Sequence, residues 1–95
     1  MIDKATAEKM VADYVNASYH VDGDELIVVD EATIEKDYGW VFFYTSRRFL
    51  ETGDICYMVA GNGPIIVDRQ NGTMIQLGTA LPVKEYIEEY EANRR

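Results

Sequence analysis

The stretch Gly39-Trp40-Val41-Phe42-Phe43-Tyr44 decides the fold. It holds the only tryptophan, two of three phenylalanines and one of seven tyrosines. Aromatic and β-branched side chains suit a pleated, half-buried surface, so the run is predicted to be a central strand. Alternation puts Trp40, Phe42 and Tyr44 on one face and Val41 and Phe43 on the other. Both faces are apolar, so both must be covered at least in part.

Working outward, Asp37-Tyr38-Gly39 is a tight connection back to an earlier strand. That strand begins at Leu26-Ile27-Val28-Val29 and runs on toward Asp37. Asp30-Glu31 interrupts it, as a bulge in one long strand or as a turn between two short ones. Upstream, Asp3 is a cap for a helix starting near Lys4 and ending near Tyr19. Its apolar stripe is Ala7, Met10, Val11, Tyr14 and Val15. Downstream, Thr45 to Asp54 reads as a polar loop with a helical turn closed by Gly53. Strands are expected at 55–60, 65–68 and 73–77. Gly61-Asn62-Gly63-Pro64 bends the chain between the first two, and Gln70-Asn71-Gly72 makes a hairpin between the last two. Thr79 is a candidate cap, and Pro82 suits the first turn of a final helix. Val83, Tyr86, Ile87 and Tyr90 form the inner stripe of that helix, with Glu85, Glu88, Glu89 and Glu91 outward. Arg94 and Arg95 suit its C-terminal dipole. The expected class is α+β: an N-terminal helix, an antiparallel sheet of four to five strands in hairpins, and a C-terminal helix.

Ninety-five residues, 47% of them hydrophobic, make one domain spanning 1–95 with a modest core. No run approaches the ~18 apolar residues of a membrane span. No charged and then apolar leader opens the chain, so no signal peptide is visible. The single cysteine, Cys56, cannot form an internal disulfide, which points to the cytoplasm. The net charge of −8 argues against nucleic acid and permits a partner with a basic surface, the other reading of the charge being solubility. From Asp22 to Asp37 there are seven acids and one base, Lys36. They read either as the solvated, charge-guarded edge of a sheet or as an acidic docking surface.

Reactive side chains are scarce. His20 is the lone histidine, and no third group orients a dyad with Cys56. Zinc would need several Cys or His ligands, and Asp22-Gly23-Asp24 lacks the spacing of a calcium loop. The 61–64 stretch lacks the Lys-Ser/Thr of a phosphate loop. Arg47-Arg48 reads as a surface ion pair before an anion site. No catalytic residue, cofactor or metal is expected.

Glu31-Ala32-Thr33-Ile34-Glu35, Tyr38 through Tyr44, Leu50-Glu51-Thr52-Gly53, Gly61 through Asp68, Gly72, Leu77-Gly78-Thr79 and Tyr86 through Tyr90 occur here in one order. In that pattern the chain resembles the YrhB-like family, also described as immunity protein 35. The resemblance covers nearly the whole chain, and its Gly-Trp-Val-Phe-Phe-Tyr and Gly-Asn-Gly-Pro pieces are its specific part. It implies a small bacterial α+β immunity protein that binds and neutralises a cognate toxin of a polymorphic toxin system without catalysis. It also implies framework roles for Trp40, Asn62 and Pro64. The contact face expected from the charge pattern is Asp30, Glu31, Glu35, Asp37 and Tyr38, with Glu51, Asp54 and Tyr44 near by. The rival readings are a chaperone-like or general protein-binding module, and a small ligand-binding domain or enzyme. Homodimerisation through a sheet edge is open.

Overall fold

The computed structural model describes residues 1–17, 19, 21–53 and 63–93. Asp3 starts the first helix, α1 (Lys4–Asn16), by accepting the Thr6 N–H on its side chain at 2.8 Å. Ala7, Val11 and Val15 are buried, at the i, i+4 spacing of one helix face. The helix ends at Asn16, three residues short of the expected Tyr19. The reason is tertiary. Asn16 turns its amide to the next segment, donating to the Leu26 carbonyl and accepting the Leu26 N–H, both at 2.8 Å. The side chain thus takes the place of a strand neighbour for the first residue of β1 (Leu26–Val28).

Asp30-Glu31 resolves as a turn. A single 3-10 turn, Asp30–Ala32, separates β1 from β2 (Ile34–Lys36). Across the Asp37-Tyr38 turn, β2 pairs antiparallel with β3 (Gly39–Phe42), Ile34 facing Val41 and Lys36 facing Gly39. The aromatic run is not one unbroken strand. It stops pairing at Phe43 and resumes as β4 (Tyr44–Ser46), which pairs with β1 in a separate two-stranded sheet. Between the pairs Val28–Tyr44 and Ile34–Val41, residues 29–33 stand opposite 42–43. The longer side is taken up by the 3-10 turn, and the ribbon bends there.

Ser46 and Gly53 bracket α2 (Arg47–Thr52). The Ser46 hydroxyl accepts the Phe49 N–H, and Gly53 closes the helix in the left-handed region at φ 70°. The expected strand at 55–60 lies outside the described residues, as do Gly61, Asn62, Arg94 and Arg95. β5 (Ile65–Asp68) then pairs with β3, and β6 (Met74–Gln76) pairs with β5, both antiparallel. The hairpin at Gln70-Asn71-Gly72 is longer than a two-residue Asn-Gly turn. Only Gly72 takes positive φ, and the Asn71 side chain accepts the Thr73 N–H at 2.9 Å. The main sheet runs β2-β3-β5-β6.

This sheet is covered on both faces, each by one helix. Trp40, Phe42, Ile65 and Val67 pack with Ala7, Val11 and Val15 of α1. Val41, Ile66 and Leu77 pack with Ile87 of α3 (Val83–Asn93). Cross-strand partners share a face, so Trp40 meets Val67 and Val41 meets Ile66. Pro82 sits just ahead of α3 and its carbonyl accepts the Glu85 N–H at 3.0 Å. Glu91 is not wholly outward: it accepts from the Tyr38 hydroxyl at 2.9 Å and pairs with Lys36 at 3.4 Å. No helix among the described residues is long and apolar enough to cross a membrane.

Candidate partner-binding surfaces

Four of the acids expected to form a contact face lie together. Asp30 and Glu31 sit on the 3-10 turn and Glu35 on β2, the outer strand of the main sheet. Asp37 is exposed in the turn after β2. These four therefore follow one edge of the molecule. Lys4 reaches into it, 3.0 Å from Asp30 and 3.8 Å from Glu8. A hydrogen bond from Glu8 and another from Lys4 hold the Asp30 carboxyl below its usual range. The same bond to Asp30, with burial, pushes Glu8 up. Glu35 keeps a side chain 72% exposed and meets Arg69 at 3.4 Å. Arg69 in turn lies 4.8 Å over the Trp40 ring and donates to the Lys36 carbonyl at 3.0 Å.

Tyr38, Tyr44 and Glu51 are elsewhere. Tyr38 turns to the α3 side, its ring 5.3 Å from that of Tyr90. Tyr44 lies on the α1 side and accepts from the Gln76 amide at 2.9 Å. Desolvation raises its hydroxyl pKa. Glu51 is on α2 and meets Arg47 at 3.8 Å, and Arg47 also meets Glu25 at 3.6 Å. The Arg47-Arg48 pair thus works within the surface, and both guanidinium groups donate to the Gly23 carbonyl. Asp54 and Asn62 lie outside the described residues. Of the other framework residues, Trp40 is buried in the core, and Pro64 is buried with its carbonyl accepting the Leu77 N–H at 2.8 Å.

Asp24 is the acid whose role the sequence pattern hid. Burial works to raise its pKa. Bonds from the Ser46 hydroxyl, the Arg48 N–H, the Tyr19 hydroxyl and the Glu25 N–H outweigh that and hold it far below the carboxylate range. It joins the segment after α1 to the start of α2. A depressed carboxyl contributes stability that is full above its unfolded pKa of about 4 and fades as pH falls toward the folded value. Asp24→Asn will therefore be less stable than the parent at pH 7, and the gap will narrow from pH 4 to pH 2. Urea midpoints across that range test this, and a gap constant with pH would refute it.

The described residues also line concavities. One, about 480 Å³, is lined by Tyr14, Val15, Tyr19, Leu26, Tyr44 and Gln76. Among the described residues it presents hydroxyl, amide and apolar groups. Another, about 510 Å³, lies between β6 and α3. Among the described residues no group of three or more His, Cys, Asp or Glu could hold a metal ion. His20 and Cys56 are outside the described residues.

Residues 5–93 match the family model of immunity protein 35. YrhB of Escherichia coli (strain K12), an uncharacterized protein, is 38% identical over 81 residues, covering 85% of this chain and 86% of its own. No solved structure matches the chain. A match over nearly the full length, with the central strand, α2, α3 and all but the first residue of α1 inside it, places the chain in a family: it belongs to the immunity protein 35 family.

Proposed function

We propose that this protein neutralises a cognate protein toxin by binding its toxic domain, with shape and charge and without chemistry of its own. The family match over residues 5–93 carries the reading. The net charge of −8 and the acidic β2 edge suit a toxin with a basic surface, because opposite potentials speed encounter and fix orientation. The contact face in this proposal is Asp30, Glu31, Glu35 and Asp37; Tyr38, expected with them, turns away toward α3. The side chains of Asp30 and Glu35 are 70% and 72% exposed. Exposed pairs each contribute little, so the edge acts through summed charge and association rate. The single cysteine suits a cytoplasmic site of action, where the toxin would strike.

The test is capture of the toxic domain encoded beside this chain's gene, in an inactivated form. Binding at micromolar concentration or tighter is expected. Glu35→Lys with Asp37→Lys will slow association by about tenfold or more, and raised salt will reduce the difference. Absence of binding at micromolar concentration defeats the function. Unchanged binding by the double variant defeats the face alone.

A further inference from the structure

Among the described residues β2 and β6 are the outer strands of the main sheet, and they are unlike. β2 carries Glu35 and Lys36, charges of the kind that guard an edge against foreign strands. β6 is Met74-Ile75-Gln76, without a charge, and Ile75 is 39% exposed. The Asp68 N–H donates to Thr73 and the Leu77 N–H to Pro64, so alternation turns the Ile75 backbone toward β5 and those of Met74 and Gln76 away from it. Among the described residues no backbone partner faces Met74 or Gln76 on that outer side. Beside this edge, on the α3 face, lies the groove of about 510 Å³ lined by Ile75, Leu77, Gly78, Tyr86, Tyr90 and Glu89. Glu89 is the one charged residue among the described lining.

We propose that this edge takes up an extended segment of the toxin as an added strand, a proposal that rests on the immunity reading above. The outward N–H and C=O groups of Met74 and Gln76 pair with the incoming backbone. Alternate side chains of that segment face the groove. One is apolar and packs against Leu77, Tyr86 and Tyr90, and its i+2 neighbour is a Lys or Arg meeting Glu89. A second copy of this chain suits the groove less well, because two chains of net charge −8 repel and the groove adds no cation among its described residues.

Hydrogen exchange of the intact protein with the inactivated toxic domain reads the edge directly. The amides of Met74 and Gln76 will slow at least tenfold on binding. Gln76→Pro removes an outward N–H without touching the β5 ladder and will weaken binding at least tenfold. Gln76→Ala keeps that N–H and loses the bond to Tyr44, and it will bind within twofold of the parent. Ile75→Lys sets a like charge against the basic segment and will also weaken binding at least tenfold. It serves as the second variant if Gln76→Pro loses its fold by circular dichroism. Toxin binding with unprotected Met74 and Gln76 amides, or Ile75→Lys within twofold of the parent, overturns the added strand and leaves the immunity function standing. No toxin binding by the parent defeats both. A dimer of the parent that Gln76→Pro dissociates, with toxin affinity unchanged, assigns the edge to self-association and overturns the proposal.

Discussion

Phe42→Ala will lower the free energy of unfolding by about 3–5 kcal/mol, the cost of a large cavity in a packed core. Phe42 is fully buried on the α1 face of β3, with Val11, Val15, Leu26 and Ile65 in the same cluster. It stands opposite Ile65, in the strand that joins the two halves of the sheet. Small domains hold roughly 5–15 kcal/mol in total, so the variant will be near the threshold of folding. At a urea slope of about 1.5 kcal/mol/M the midpoint will fall by roughly 2–3 M. Leu50→Ala, with Leu50 54% exposed on α2, is the comparison and will change stability by less than about 0.5 kcal/mol. A Phe42→Ala loss below about 1.5 kcal/mol would mean that α1 does not close over the strand as described.

Gly39→Ala will cost about 3 kcal/mol or more, although it adds a single methyl group. A Cβ at Gly39 would stand 1.9 Å from the Val67 carbonyl oxygen, 2.9 Å from its carbon and 3.2 Å from the Arg69 nitrogen. All three are backbone atoms of the neighbouring strand and cannot rotate aside. Relief requires opening the β3–β5 ladder where Gly39 faces Asp68 and where the Arg69 N–H donates to the Tyr38 carbonyl. Gly53→Ala separates this steric need from a conformational one. Gly53 holds φ 70° with open space where its Cβ would be, so alanine there will cost only about 1–2 kcal/mol. Thermal unfolding of the two variants side by side decides the matter. Equal losses would show that close strand approach is not what requires Gly39.

Much of this architecture can be read in the residues because local chemistry and final position agree. Asp3 caps α1, Gly53 ends α2, and the Trp40–Phe42 strand is apolar on both sides because a helix covers each. What the pattern hid depends on partners far along the chain. Asn16 ends α1 by bonding Leu26, ten residues on. Glu91 fits a solvent-facing helical pattern until Tyr38 and Lys36 reach it from the hairpin turn. Asp24 belongs by composition to the acidic run, yet four donors fix it inside the protein's own framework. The acids of the 30–37 stretch were legible as an excess of charge, though only Glu35 of them lies on β2, beside Lys36. The uncharged β6 edge was not, because three polar and apolar residues carry no signal until the strand order makes them an outer strand.

The 3-10 turn at Asp30–Ala32 has a consequence for how such a protein can change. Neither ladder includes those three residues, since pairing ends at Val28 and resumes at Ile34. Their number and polarity can drift without resetting which residues face across the ribbon. Part of the acidic charge therefore sits on a spacer whose revision leaves the pairing on either side intact.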